Sequence, residues 1–239
     1  MIKKKYKNAQ GHVEIIFSFV IFISFLSFLL ISFNPFKTTS NTETYLYLAQ
    51  TQIEKLITKE ISLLTLNLNN PKSTCGYFDY EDTGEEDIIT KNSSGYIYNS
   101  TRGTGGTQIY IGFSPSNNFY LIYFSDDFKE KSISTTTCSL LPTTNYTLGL
   151  LRTYSVVSFK EINETFSNSY TLDRANLKKK IGIPETKDFS LNFYDLTRTS
   201  IKELGTPPEK TVIYAREIPV QFMYPDGKFE YGFMQIKIW

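Results

Sequence analysis

The sequence predicts an α+β fold with an N-terminal transmembrane helix, an amphipathic scaffold helix and an antiparallel β-rich extracellular domain. Three observations lead to this fold class. One uninterrupted apolar run lies near the N-terminus, a stretch with apolar residues at every third or fourth position follows it, and the remaining chain alternates β-branched and aromatic segments with turn residues. Because 41% of the 239 residues are hydrophobic, the chain can also bury a substantial core.

The apolar run extends from Ile15 to Phe33 and contains only Ile, Phe, Val, Leu and Ser. At about 1.5 Å per residue, a helix of this length spans roughly 30 Å, the thickness of the hydrocarbon core of a bilayer. Four lysines lie between residues 3 and 7, and no acidic residue comes before Glu14, so the positive-inside rule places the N-terminus in the cytoplasm. We therefore expect residues 10–34 to cross the lipid bilayer of the cell membrane once, with the bulk of the chain extracellular. A cleavable secretory signal fits less well, because its apolar region is shorter and ends in small residues.

The residues just before this run are the most informative part of the sequence. A carboxylate at the edge of a membrane helix is costly unless it stays hydrated or has a partner. Glu14 is such a carboxylate, and two interpretations differ in what it contacts. In the first, it remains hydrated among lipid headgroups. In the second, cleavage between Ala9 and Gln10 makes Glu14 the fifth residue of the mature chain, and it pairs with the new amino group on Gln10 of a neighbouring subunit.

This arrangement resembles the class III signal peptides of archaeal type IV pilin-like proteins. Those peptides have a short basic leader, a small residue, a Gln, a Glu at mature position five and then a hydrophobic helix; here these are residues 1–9, Ala9, Gln10, Glu14 and the apolar run. The resemblance implies that a prepilin-type peptidase removes residues 1–9 and leaves the hydrophobic helix attached. Ala9 stands where Gly is more usual, and a cut after Gly11 would put Glu14 at position three, which matches the pattern less well.

Residues 41–70 are expected to form the scaffold helix. Their apolar residues are spaced by three or four and form one stripe: Leu46, Ala49, Ile53, Ile57, Ile61, Leu64 and Leu68. Asn34-Pro35 ends the preceding helix, and Ser40 or Asn41 can cap the start of this one. We expect the stripe to pack against a sheet.

Residues 71–239 are expected to form the β-rich domain. Residues 107–113 and 119–124 should form a hairpin around the turn at 114–118, and Pro225-Asp226-Gly227 should connect the last two strands. Pro219 should mark a bulge or a sheet edge. A short helix is expected at about 173–181. Several segments here are similar to segments in the outer domains of archaeal pilin-like membrane proteins: residues 177–184, 188–193, 214–220, 226–227 and 237–239.

The cysteines and the glycosylation patterns are the candidate modification sites. Cys75 and Cys138 are the only cysteines, and an extracellular location permits a disulfide between them; two buried thiols are the alternative. Four asparagines match the N-glycosylation pattern: Asn92, Asn99, Asn145 and Asn163. The stretch Asp79–Asp87 carries six carboxylates, but its spacing differs from a calcium-binding EF-hand loop, so a hydrated acidic turn is favoured.

Composition excludes several function classes. The 25 basic and 24 acidic residues nearly cancel, which leaves no positive excess for a nucleic acid. One His and two Cys do not make up a structural zinc site, and no second His can activate a nucleophile. We therefore expect no enzyme, no metal centre and no cofactor.

The pilin resemblance implies a subunit of an archaeal surface filament or of its assembly system, with other pilin-like subunits as partners. The expected outer domain of this chain is larger than that of most major pilins, which favours a minor subunit. The alternative is a monomeric, membrane-anchored cell-surface protein that binds an unknown ligand.

Overall fold

The computed structural model describes residues 6–33, 42–69, 71, 73–80, 86–103, 105–129, 131 and 133–239. Residues 1–5 of the expected leader lie outside the described residues, as do residues 81–85 of the acidic stretch. The chain divides into two compact units, Met1–Thr44 and Tyr45–Trp239.

The first unit contains helix α1, Tyr6–Phe33. This helix begins in polar residues, well before the apolar run, and the run itself carries four serines. Within the part of the chain that the structure describes, no helix has both the length and the apolarity needed to cross a membrane. The predicted transmembrane helix at residues 10–34 is therefore wrong.

The predicted scaffold helix at 41–70 is helical only in its first half. Helix α2 covers Thr42–Ile57, and the chain continues directly as strand β1, Thr58–Leu68. The apolar residues of β1 fit a helical spacing, but Leu64, Leu66 and Leu68 are buried and alternate with more exposed residues, as in a strand. Neighbouring strands decide the outcome, because β1 is hydrogen-bonded along both of its edges.

The strands after β1 form two sheets. Their bounds are β2 Cys75–Asp79, β3 Asp87–Asn92, β4 Ile97–Tyr98, β5 Ser100–Arg102, β6 Gln108–Gly112, β7 Phe119–Ser125, β8 Ser139–Leu140, β9 Tyr146–Leu148, β10 Arg152–Ser158, β11 Phe189–Asp195, β12 Ser200–Leu204, β13 Tyr214–Met223 and β14 Phe229–Ile238. The large sheet has ten strands in the order β12-β11-β14-β13-β10-β1-β7-β3-β4, with β9 also paired to β1. The small sheet has the order β5-β6-β2-β8.

Strands β6 and β7 do not form the predicted hairpin. They follow one another in the chain, but β6 pairs with β2 and β5, whereas β7 pairs with β1 and β3. The Tyr120 hydroxyl stabilises the loop between β6 and β7. It accepts a hydrogen bond from the Ser114 backbone N–H at 2.9 Å and donates one to the Asn117 carbonyl at 3.1 Å. The connection therefore carries the chain from one sheet to the other. Side chains of both sheets, including Phe78 and Phe124, enclose a common core.

The predicted fold class had only antiparallel strand pairs, and this part of the prediction is wrong. Strands β10 and β13 pair in parallel, and so do β2 and β8. The predicted turn between the last two strands is confirmed, because β13 and β14 pair antiparallel on either side of it. Gly227 in that turn has a φ of 87°, and a Cβ atom there would lie 2.6 Å from Ile89.

Helices cover one face of the large sheet. Between β10 and β11 lie a π-helical segment, Glu161–Phe166, helix α3, Ser167–Leu172, and helix α4, Arg174–Lys180. Helix α4 confirms the short helix expected at about 173–181. These segments and α2 share one apolar core with β11, β13 and β14. Its largest fully buried members include Ile53, Ile57, Phe166, Phe189, Phe193 and Phe222.

Candidate functional site

The candidate assembly site lies along α1. Ala9 and Gln10, the two residues at the expected cleavage point, both fall within this helix. Position 10 and position 14 are four residues apart, so they lie about one helical turn from each other. The Glu14 side chain is exposed. The helix therefore places an accessible carboxylate directly before its apolar part.

The apolar part of α1 is exposed on all sides. Every residue from Ile15 to Phe28 is exposed, and its large apolar side chains range from 38% exposed at Leu26 to 68% at Ile15. These residues make about four turns, so every face of the helix presents apolar side chains. A contiguous apolar surface of this size is typical of a site of association.

Cys75 and Cys138 form a disulfide, and their Cα atoms are 4.8 Å apart. Cys75 is the first residue of β2, and Cys138 directly precedes β8, which pairs with β2 through Gly76 and Ser139. The disulfide thus fixes the short strand β8 to the small sheet. It connects residues 63 positions apart, and closing a loop of that size stabilises the fold by about 4 kcal/mol in the chain-entropy model.

The first glycosylation pattern does not offer an accessible asparagine. Asn92 is only 6% exposed. Its Oδ1 accepts hydrogen bonds from the backbone N–H groups of Ser94 at 3.0 Å and Tyr96 at 2.9 Å, and its Nδ2 lies 3.4 Å from the hydroxyl of Tyr98. A glycan on Nδ2 would have to displace the Tyr98 hydroxyl and find room beside a buried side chain. Asn92 therefore acts as a turn residue that binds its own backbone.

The other three patterns differ in their accessibility. Asn99 is exposed between β4 and β5, and Asn145 is exposed at the end of a short 3-10 turn. The backbone carbonyl of Asn99 accepts a hydrogen bond from the Gly112 N–H at 2.9 Å, and that of Asn145 accepts one from the Asn69 N–H at 2.7 Å. Asn163 is half-buried within the π-helical segment. Asn99 and Asn145 are therefore the accessible acceptors.

The acidic stretch forms no site that can be described. Residues 81–85 lie outside the described residues. Among the residues that the structure does describe, no group of three His, Cys, Asp or Glu side chains is placed to hold a metal ion.

Lys91 is an ionisable residue that sequence reasoning missed. It lies on β3 and is 8% exposed, and its Nζ is 4.2 Å from the ring centre of Phe229 and 5.3 Å from that of Tyr123. Burial lowers the pKa of Lys91 to about 8, and the nearby Asp226 carboxylate opposes this shift. The ring faces favour the charged form through cation–π attraction. The burial of Lys91 could have been inferred from its position two residues after the apolar Ile89, because residues two apart lie on the same face of a strand.

A buried Ser–Asp pair at the end of β10 was also not anticipated. The Ser158 hydroxyl donates a hydrogen bond to Asp127 and accepts one from the backbone N–H of Glu161 at 3.1 Å. Lys160 Nζ lies 3.6 Å from the same Asp127 carboxylate. Ser158 and Glu161 have the capping-box spacing, so these contacts stabilise the start of the following helical segment. Ser158 is fully buried, so its hydroxyl is not accessible to a substrate.

The structure brings together only some of the predicted site residues. Cys75 meets Cys138, and positions 10 and 14 lie one turn apart, whereas the four asparagines lie on separate segments. Comparisons of the chain with protein-family models, with curated proteins and with solved structures find no match.

Proposed function

We propose that this chain is a pilin-like subunit, of the minor kind, of an archaeal surface filament or of the system that assembles it. The observation that carries the proposal is the exposed apolar surface of α1 between Ile15 and Phe28. Exposing apolar surface to water costs about 25 cal/mol per Å². Association with other apolar helices removes this cost, and a bundle of such helices is the core of a pilin-like assembly.

Glu14 supports this function because it stands at the beginning of that apolar surface. A carboxylate taken into an apolar bundle requires a positive partner. Cleavage after Ala9 by a prepilin-type peptidase supplies one, since it creates an amino group on Gln10. Pairing between Glu14 of one subunit and this amine on the next sets the axial offset between neighbouring helices.

The β-rich unit is suited to the outer surface of such an assembly. Its disulfide is of the kind that persists in oxidising, extracellular surroundings. Asn99 and Asn145 also offer exposed acceptors for glycans. We therefore assign residues 45–239 to the outside of the cell.

The Glu14→Gln variant tests this function. The substitution keeps the side-chain shape and removes the charge, and breaking one member of a buried charge pair costs about 3–5 kcal/mol. We expect normal cleavage of the leader and loss of the higher oligomers. Chemical cross-linking in cells, followed by electrophoresis, measures both.

The matched control is Glu60→Gln, which removes the same charge from an exposed position on β1. It should give the cross-linking ladder of the wild type. No ladder in either protein would instead favour the monomeric surface-binding protein, and identical ladders would show that the Glu14 charge takes no part in association.

A further inference from the structure

The large sheet is split between β10 and β13. These two strands run parallel, but they pair only at their C-terminal ends, where Val157 lies opposite Phe222 and Ser158 opposite Met223. Towards their N-terminal ends the strands separate. A cleft of about 520 Å³ lies between them, and Thr51 and Glu54 of α2 border it on one side. We call this the strand cleft.

Both strands present backbone groups to the strand cleft. Residues 152–156 of β10 pair with β1 along the opposite edge, and residues 214–220 of β13 pair with β14 along the opposite edge. Among the residues that the structure describes, no strand pairs with the two facing edges. Alternate residues of each edge thus direct their N–H and C=O groups into the strand cleft.

Pro219 confirms that the cleft side of β13 is a sheet edge, one of the two outcomes predicted for it. Pairing with β14 is unbroken on either side of it, through Ile218 with Met234 and Val220 with Gly232. The proline nitrogen, which has no hydrogen to donate, therefore faces the strand cleft. A proline at this position also opposes indiscriminate pairing between the β13 edges of two copies.

Exposed apolar residues precede both strands of the cleft. Leu150 and Leu151 directly precede β10 and are 81% and 44% exposed, and Val212 and Ile213 directly precede β13 and are 73% and 41% exposed. Inside the strand cleft the lining includes apolar side chains of both strands, among them Val156, Ile218 and Val220. The site therefore combines two hydrogen-bonding edges with apolar surface.

We propose that the strand cleft binds an extended segment of a different protein, which inserts as a strand between β10 and β13. An extended polypeptide has donors and acceptors along both of its edges, which is what two facing strand edges require. Its side chains alternate between the two faces. Apolar side chains on the α2 side contact Ile218 and Val220, which already pack against the core beneath α2. This inference goes beyond the proposed function and does not depend on it.

The test uses the full chain in detergent and a short fluorescein-labelled peptide in which valine and threonine alternate. Fluorescence anisotropy measures its binding, and hydrogen exchange locates it. We expect saturable binding and slower exchange of the backbone amides of β10 and of the first half of β13. The double variant Leu151→Asp, Val212→Asp should weaken binding by at least about tenfold, because it places charges against an apolar segment. Leu196→Asp is the matched control, since Leu196 is exposed and follows β11, which β14 separates from β13.

Two further peptides test insertion between the strands. In each, alternate amides carry N-methyl groups, so that donors are removed along one edge or along the other. Insertion predicts that both peptides bind more weakly than the parent peptide. If only one of them is weakened, the segment pairs with a single strand and the proposal is wrong.

Three other results would also overturn the proposal. The first is an equal loss of binding in Leu196→Asp, and the second is no protection of β10 and β13 by the peptide. The third is protection of the same amides that rises with protein concentration in the absence of peptide, because the occupant would then be a second copy of this chain.

Discussion

Lys91 makes the stability of the β-rich unit depend on pH. Its pKa is about 8 in the folded protein, against an ordinary value of 10.5. Between these two pH values the unfolded chain binds more protons than the folded chain, so raising the pH increases the free energy of unfolding. Below about pH 8, Lys91 is protonated in both states and no longer makes the free energy of unfolding depend on pH. We expect the free energy of unfolding of a fragment beginning at Thr42 to rise between pH 8 and about pH 10, relative to that of its Lys91→Met variant. Urea titrations across this range measure the difference.

The comparison with the variant is needed because tyrosines titrate nearby. Burial raises the pKa of Tyr154 and brings that of Tyr224 to about 12, and both effects lower the stability of either protein as the pH rises through the ordinary tyrosine value. Lys129→Met serves as control, since Lys129 is exposed. It should leave the pH dependence of the wild type unchanged. A difference between wild type and Lys91→Met that is constant with pH would contradict the assignment.

The four glycosylation patterns should differ in use. Asn99 and Asn145 are exposed, whereas the side-chain amide of Asn92 is buried and hydrogen-bonded within its turn. We expect glycans on Asn99 and Asn145 and an unmodified Asn92. Mass spectrometry of peptides from protein purified from its native cells checks this. A glycan on Asn92 in folded protein would show that the turn opens or forms after modification.

At the scale of elements, a substitution in β1 tests whether residues 58–68 form a strand and do not continue helix α2. Leu66 lies off the helical stripe through Ile57, Ile61 and Leu64, yet it is fully buried in the strand. Leu66→Ala should therefore lower the free energy of unfolding by about 2–5 kcal/mol. Thermal or urea unfolding of the fragment beginning at Thr42 measures it.

The neighbouring Asn67→Ala substitution is the control for that prediction. Asn67 is exposed, so its removal should change stability by no more than about 0.5 kcal/mol. If Leu66→Ala were as mild as this control, residues 58–68 would be helical as the apolar spacing first suggested.

Element types were easier to predict than element partners. The final two strands and their Pro225–Gly227 turn were predictable because the turn chemistry and the neighbouring pairing are local. The separation of β6 and β7 into different sheets was not, since alternation shows which side chains face a core and does not show which strands lie side by side. The parallel pairing of β10 with β13 joins segments more than 50 residues apart, and no local pattern indicates it.

The same limit applies to the site residues. Ala9, Gln10 and Glu14 were selected from a pattern that is local in the sequence, and their role in cleavage and assembly stays a prediction. The burial of Lys91 depends on Phe229, which is distant in the sequence, so its lowered pKa had no signal beyond strand alternation.

At the scale of the whole molecule, the two units differ in whether their apolar residues are buried or exposed. Residues 45–239 bury their own apolar cores beneath helices and between sheets. Helix α1 exposes its apolar residues between Ile15 and Phe28. The assembly proposed above would bury this surface.

The most direct test of this account is the N-terminal mass of the protein purified from its native cells. If the chain is a processed pilin-like subunit, mass spectrometry should find an N-terminus at Gln10, with the apolar residues Ile15 to Phe33 still attached. An intact start at Met1 or Ile2, or a chain that begins beyond Phe33, would contradict the account, because no amino group would then be available to pair with Glu14 at the start of the assembly helix.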